Sequence, residues 1–209
     1  MHRRLGNDLV FQTLAEQGLS ALETAKVQKI VAICPHCVRT IANDWRDFGI
    51  APTIEHHSEF MARHKSRLPQ LTTHNSQLTT EKSIVYHDPC YLGRYRDIYE
   101  APRDIVALAG TLVEAPRSHE RSFCCGAGGG LAFLGEEAGE RVSHVRAREL
   151  AATGAQTVAT ACPFCNTMFR DALTAISPQD GPAPPQLLDI AQLTARALPS
   201  RAATAALSQ

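Results

Sequence analysis

The sequence has no surplus of either charge. Lysine plus arginine number 21, aspartate plus glutamate number 21, and the 209-residue chain is formally neutral with histidine uncharged. A surface of mixed sign excludes the electrostatic footprint of a nucleic-acid binder or of a protein drawn to an anionic membrane surface. Long apolar runs are missing too. VQKIVAIC, residues 27–34, is interrupted by Lys29 and is far too short to span a bilayer. The opening MHRRLGNDLVFQTLAEQ starts basic, has no continuous apolar stretch and meets acids early, so it reads as an amphipathic helix and not an export signal. A chain with neither signal nor span is expected in the cytoplasm, where thiols stay reduced. A nucleotide-binding glycine fingerprint is absent as well: GAGGG, residues 126–130, follows a cysteine pair and lacks the G-x-G-x-x-G frame behind a strand.

What is present is cysteine, seven in all. In a reducing compartment seven thiols argue for metal or redox chemistry over structural disulfides, and the odd count agrees. The length suits one large domain or two small ones.

Strand and helix patterns alternate along the chain. Leu5, Leu9, Val10, Leu14, Leu19 and Leu22 have helical period. KIVAI reads as a buried strand that runs into CPHC. VRTIANDWRDF follows as a helix ended by Gly49, then PTIEH as a strand and HSEFMARHKSRL at helical period. PQLTTHNSQLTTEKS is polar and unpatterned, the best boundary in the sequence. Beyond it come the strand SIVYH, a turn at DPC, the helix APRDIVALAG with Pro102 in its first turn and Gly110 at its end, and the strand TLVEA. A long helix is expected from about Gly135 to Thr153, closed by Gly154. QTVATA then leads into CPFC, NTMFRDALTAI is a helix, and PQLLDIAQLTARAL gives a last strand and helix. This order predicts an α/β fold with short parallel sheets flanked by helices. It divides into a first module at 1–70, a linker at 71–82, a second module at 83–197 and a small polar tail at 198–209.

The two parts resemble each other. LETAKVQKIVAICPHC at 22–37 aligns with LAATGAQTVATACPFC at 150–165, an offset of 128 positions, and both continue as helix, strand and helix. An internal duplication explains the shared order. It is incomplete: DPCYLGRY and CCGAGGG stand ahead of the long helix in the second copy and have no counterpart in the first.

Five cysteines belong to the second copy, Cys90, Cys124, Cys125, Cys162 and Cys165, spaced C-x33-CC-x36-C-x-x-C. Each falls at a strand end or in the loop beyond it. In a parallel sheet the carboxyl ends of the strands share one edge, where ligands bind. Tetrahedral zinc takes four ligands and would leave one sulfur unused, whereas an iron–sulfur cluster offers several irons to thiolates. A helix beginning after Cys-Pro supplies N–H groups toward negative charge. The glycines at 128–130 allow a sharp turn and close approach of amides to sulfur. Arg94, Arg96 and Arg121 are candidates for charge compensation or for ordinary surface positions.

YHDPCYLGRYRDIYEAPR, SFCCGAGGG and TACPFC together resemble the cysteine-rich (CCG) domain of the heterodisulfide reductase and glycolate oxidase iron–sulfur subunit family. The resemblance spans roughly residues 3–195. It implies a [4Fe–4S] cluster, non-cubane in well-understood relatives, held by Cys90, Cys124, Cys125, Cys162 and Cys165. It implies electron transfer, with thiol–disulfide reduction in the heterodisulfide reductases, and a redox partner that is a flavoprotein or a membrane quinone-linked subunit. No nucleic acid and no span of its own are implied, and the cytoplasmic location extends to the inner membrane face through such a partner. Relatives usually carry two modules, often behind a ferredoxin-like domain. Here the first keeps only Cys34 and Cys37, so a second cluster would need ligands from another chain, and an N-terminal truncation is expected.

Other readings stay open at this point. A zinc-stabilised interaction subunit and a truncated remnant without a cluster are the alternatives to the iron–sulfur protein. CPHC also occurs in thioredoxin-like proteins, where a helix N-terminus acidifies the first thiol. His56 and His57 follow a strand on the ligand-binding edge, as proton donors or as hydrogen-bonded structural residues. His87 and Asp88 precede Cys90 as groups that orient ligands, and for Asp88 the alternative is a helix N-cap or turn residue. Glu136, Glu137 and Glu140 are expected to complement the dipole of the long helix.

Overall fold

The computed structural model describes residues 3, 6–49, 52–68, 83–134, 139–176 and 183–197. Each helix of the first half starts on a recognisable sequence device. The side chain of Asn7 accepts from Val10 N at 3.1 Å and opens α1, Asp8–Thr24. Cys34 caps α2, Pro35–Ala42, with proline at its first position. His56 and Glu59 form a reciprocal capping box at α3, His57–Arg63. Between these helices β1, Ile30–Ala32, pairs in parallel with β2, Ile54–His56, in the register Ile30↔Ile54.

The second half builds β3 (Ser83–His87), α4 (Gly93–Arg96), α5 (Glu100–Ala109), β4 (Thr111–Val113), α6 (Leu131–Leu134), α7 (Val142–Ala151), β5 (Thr157–Thr160), α8 (Pro163–Ile176), β6 (Gln186–Asp189) and α9 (Ile190–Ala197). Its four strands lie in the order β4-β3-β5-β6, all parallel. The α/β architecture with two short parallel sheets is therefore observed.

Successive strand residues point to opposite faces, and both faces of this sheet are covered. Val85 and Val158 face one cluster with Leu150, Phe169 and Leu173, which come from α7 and α8. Ile84, Tyr86 and Ala159 face the other, with Ile105, Val106 and Leu193 from α5 and α9. A fully buried valine such as Val158 contributes roughly 1.5–3 kcal/mol by leaving water. The first half joins the second cluster through Met61 of α3, whose sulfur accepts from Thr194 Oγ1 at 3.6 Å.

Three helices differ from expectation. The single long helix expected from about Gly135 begins instead at Val142, because Gly139 has φ +77°, a left-handed conformation that interrupts helix, and residues 135–138 lie outside the described ones. Glu140 accordingly precedes α7 and pairs with Arg148, while Glu136 and Glu137 lie outside the described residues. The helix expected at 38–48 starts earlier, at Pro35, and passes at Asn43 into a short 3-10 turn, Asp44–Phe48. The one at 57–68 likewise ends in a 3-10 turn, Lys65–Arg67. The expected linker and the tail also lie outside the described residues.

Candidate metal centre

The order β4-β3-β5-β6 reverses direction between β3 and β5. Chain crossing from β3 leads outward to β4, and the return leads to β5 and on to β6. A crevice opens at the carboxyl ends of two strands flanking such a reversal. Cys90 stands three residues past β3 and Cys162 two residues past β5, so both motifs arrive in that crevice. Cys165 lies in the first turn of α8, and Cys124 and Cys125 enter on the loop before Gly126.

The five side chains form one contiguous set. The Cys125 and Cys90 side chains both lie against the Cys124 sulfur and lower its pKa, against the effect of burial. Cys124 in turn raises Cys90, and holds Cys125 up at about 12. Cys165 contacts both Cys125 and Cys162 and is pushed well above the usual thiol value. Cys162 is lowered to about 6 by the Cys165 thiol, against burial, with help from His36. Alternation of this kind is what crowding dictates: adjacent sulfurs in a buried site cannot all ionise without a cation to compensate. None of the seven cysteines forms a disulfide.

Backbone donors stand against the sulfurs as well. Gly126 N donates to Cys124 Sγ at 3.3 Å, and the amides of Ala127 and Cys165 reach Cys125 and Cys162. The amide that approaches Cys124 thus belongs to Gly126, just ahead of the glycine run at 128–130. Gly126, Gly129 and Gly130 have positive φ of 87°, 65° and 91°, and glycine at these positions is what lets the loop turn back.

His87 completes the nest. One ligand atom each of His87, Cys125 and Cys165 lies within 4.8 Å of the others. Arg146 Nε donates to His87 Nδ1 at 3.3 Å, and burial followed by the Arg146 charge holds the ring well below its usual pKa. A neutral ring that accepts at Nδ1 carries its proton on Nε2. Nε2 is buried without a hydrogen-bond partner among the described residues. His87 therefore offers the nest a donor, not a metal-binding lone pair. A run of five contacting cysteine sulfurs fits a thiophilic inorganic group, and the orphaned N–H beside it fits an electron-rich sulfur acceptor on such a group.

Asp88 is not a helix cap. Its carboxylate accepts from Arg103 Nη1 at 2.7 Å, Arg103 Nη2 at 2.9 Å and His119 N at 2.8 Å, and its carbonyl accepts from Ser122 Oγ at 3.2 Å. It ties the Cys90 turn to the segment ahead of Cys124. Arg94 reinforces that tie, donating to Glu120 O at 3.1 Å and to Ser122 O. Arg121 is exposed. Arg146, fully buried, was not singled out in the sequence. The signal was its place on the stripe Ser143, Arg146, Ala147, Leu150, the buried face of α7 at helical spacing.

Cys34 and Cys37 lie beside this set. The Cys37 thiol lowers Cys34 to about 4, and Cys37 is raised in return. Two histidines of the first half link the two C-x-x-C turns. His56 Nε2 lies 3.3 Å from Ile33 O and 3.1 Å from Ala161 O, the equivalent carbonyls just ahead of Cys34 and Cys162. Its Nδ1 accepts from Ser58 N at 3.3 Å, and burial lowers its pKa to about 3, so His56 is a hydrogen-bonded structural residue. His57 Nε2 lies 3.4 Å from Asp189 Oδ1. His36, the third residue of CPHC, places Nδ1 3.8 Å from both Cys34 Sγ and Cys162 Sγ. Burial lowers its pKa, but the Cys162 and Cys34 sulfurs outweigh that and raise it to about 9. No sequence pattern marked His36, because its partner lies 126 residues away.

Comparison with known proteins agrees with this chemistry. The family model for the cysteine-rich domain, CCG, matches residues 1–42 and 84–170. The chain is 40% identical over 183 residues, 85% of its own length, to the probable iron-sulfur-binding oxidoreductase FadF of Bacillus subtilis, of which it covers 25%. It is 31% identical over 208 residues, 94% of its length, to the EtfAB:quinone oxidoreductase of Syntrophomonas wolfei, covering 28% of that protein. Against a component of the dihydromethanophenazine:CoB–CoM heterodisulfide reductase of Methanosarcina barkeri it is 32% identical over 174 residues, 81% of its length and 42% of that component. The chain belongs to the cysteine-rich CCG domain family, and it spans about a quarter of the length of the first two relatives.

Proposed function

We propose that this member of the CCG family is the electron-transferring part of an iron–sulfur oxidoreductase, and that Cys90, Cys124, Cys125, Cys162 and Cys165 hold a [4Fe–4S] cluster. The observation that carries the reading is the contiguity of five thiols drawn from three distant segments. Such a cluster supplies reversible one-electron uptake at a potential set by its surroundings. The chain's own residues do the rest. Asp88, Arg103 and Arg94 fix the two loops that deliver Cys90 and the cysteine pair. Gly126 N donates to the Cys124 sulfur, and His87 Nε2 is an unpartnered buried nitrogen on a ring beside Cys125 and Cys165. The sheet and α8 keep Cys162 and Cys165 dry, at 0% and 2% exposure.

Two units are proposed to carry these parts, residues 1–70 with Cys34 and Cys37 and residues 83–197 with the five-cysteine set. A flavoprotein or a quinone-linked membrane subunit is the proposed partner, supported by the quinone oxidoreductase relative. No helix among the described residues is long and apolar enough to cross a membrane. We place the protein in the cytoplasm, peripheral to the membrane through that partner. The heterodisulfide reductase relative favours a further reading in which two electrons and two protons convert a disulfide to two thiols.

Anaerobic reconstitution tests the proposal. The expected product is a brown protein with about four irons and four sulfides per chain and an electron paramagnetic resonance signal that changes in Cys125→Ser. Colourless protein with stoichiometric zinc would favour a structural metal, and protein that takes up neither metal would favour a remnant.

A further inference from the structure

The two C-x-x-C turns differ at one interior position. Residue 36 is histidine and its counterpart 164 is phenylalanine, and the two rings meet edge to face with centroids 4.9 Å apart. His56 already pins the turns together through Ile33 O and Ala161 O, so joining them does not require a polar ring at 36. What histidine adds there is Nδ1, equidistant at 3.8 Å from Cys34 Sγ and Cys162 Sγ. The ring is held in that orientation. It stacks on Tyr91 at 3.9 Å and 27°, Tyr91 stacks on Tyr95 at 4.7 Å, and the Arg39 guanidinium sits 5.6 Å from the Tyr95 centroid. Tyr91 directly follows Cys90, so one ladder of rings connects the turn carrying one proposed ligand to the sulfur of another. A cavity of about 100 Å³ lies beside this ladder, lined by His36, Tyr91, Phe164, Gly128, Gly129 and Gly130 among others.

Both protonation states of imidazole can carry a proton on Nδ1. A hydrogen bond to a ligand sulfur stabilises the more negative, reduced state of a metal centre. Hydrogen bonds to sulfur are among the levers that set iron–sulfur potentials, and groups just outside the ligands tune a centre through them. We propose that His36 is a positioning residue for the Cys162 sulfur, sharing its Nδ1–H between Cys162 and Cys34 and thereby raising the reduction potential of the centre that Cys162 holds. This rests on the cluster reading above and goes beyond it, because it assigns to the first half of the chain a direct hold on the redox behaviour of the second.

Two variants separate the donor from the ring. His36→Phe copies the counterpart residue, keeps the stacking on Tyr91 and removes the donor. His36→Asn restores an N–H close to the place of Nδ1 without the ring. The measurement is the midpoint potential of the reconstituted chain, followed by electron paramagnetic resonance during redox titration. His36→Phe is expected to shift the midpoint to more negative values and His36→Asn to return it toward wild type. If His36→Phe fails to take up iron while His36→Asn loads normally, the donor is again the cause. An unchanged midpoint in His36→Phe, an equal shift in both variants, or loss of loading in both overturns the proposal. In the metal-free chain, ring-nitrogen NMR is expected to find a proton on His36 Nδ1 and a resonance that moves in Cys162→Ser. A bare Nδ1 overturns the proposal there. Wild-type chain that takes up no iron defeats the cluster reading, and the NMR result then decides the His36 contact on its own.

Discussion

Strand β1 and strand β5 sit 128 positions apart, each leading into Cys-Pro at the start of a helix, yet they live in different surroundings. β5 lies between β3 and β6, and Ala159 and Ala161 are fully buried. Among the described residues β1 has only β2 beside it, and the matching Val31 and Ile33 are 44% and 57% exposed. The helices differ in the same sense. On α7 the buried stripe includes Arg146, Ala147 and Leu150, whereas on α1 Leu9, Val10 and Leu14 remain exposed. The cysteines follow their strands: Cys165 is 2% exposed, but Cys37 is an exposed residue. One local device, a strand feeding a helix through Cys-Pro, thus gives either a dry, crowded thiol or an open one, according to how many neighbours the strand has.

The comparison breaks hardest at the metal. Cys165→Ser removes a sulfur in contact with both Cys125 and Cys162, and the expected result is loss of nearly all bound iron and sulfide after anaerobic reconstitution. Cys37→Ser removes a thiol whose sulfur contact is Cys34, and is expected to leave the iron-to-protein ratio at the wild-type value. Iron and sulfide assays on the two variants side by side decide the matter. Equal losses would make the two turns parts of one metal site and end the distinction drawn between them.

Why some of this was legible in the sequence and some was not follows from distance along the chain. SIVYH and QTVATA are uninterrupted and β-branched, bounded by turn residues, and both became central strands buried on both faces. CPHC and CPFC put proline in the first turn, and both helices start there. The five cysteines could be placed on one edge because a parallel sheet gathers its strand ends. Contacts that depend on folding could not be placed. His36 meets Cys162, His56 meets Ala161 and Arg146 meets His87 across 126, 105 and 59 residues. Local propensity carries no information about such pairs. The break ahead of α7 was missed for a different reason: glutamate-rich EEAGER reads as a good helix start, and only the left-handed backbone at Gly139 shows that the helix begins later.

A single substitution made on both strands sharpens the contrast in burial. Valine and threonine have nearly the same shape, so the exchange chiefly introduces a hydroxyl. At Val158, fully buried between β3 and β6, the hydroxyl loses water and gains no arranged partner. The expected cost is about 1–3 kcal/mol in urea unfolding. At Val31, 44% exposed, the hydroxyl keeps water, and the expected change is within about 0.5 kcal/mol. A similar cost at both positions would mean that the open side of β1 is covered in solution.

The smallest effect concerns protons. Glu149 and Glu55 both have carboxyl groups held below the usual value. Burial opposes this at Glu149, where the Arg117 and Arg146 guanidinium groups outweigh it, and at Glu55 the Arg63 bond is the leading cause, with Lys29 assisting. A carboxylate with a depressed folded-state pKa contributes stability that is present above its unfolded pKa and disappears as pH falls through its folded value. Each should therefore lose its contribution below about pH 4, with a slope of at most about 1.4 kcal/mol per pH unit for one proton. Salt separates the two. At Glu149 the larger contributor, Arg117, is 42% exposed but Arg146 is fully buried, whereas at Glu55 both partners, Arg63 and Lys29, are 50% and 46% exposed. Screening shortens to about 3 Å at 1 M salt and acts on exposed pairs far more than buried ones. In about 1 M potassium chloride the difference in acid stability between wild type and Glu55→Gln is expected to vanish, while the part of the difference between wild type and Glu149→Gln that comes from Arg146 persists. Acid unfolding followed by circular dichroism at low and high salt measures both. Loss of the Glu149 difference in salt would show that the buried arginine gives the second half no protection that the first half lacks.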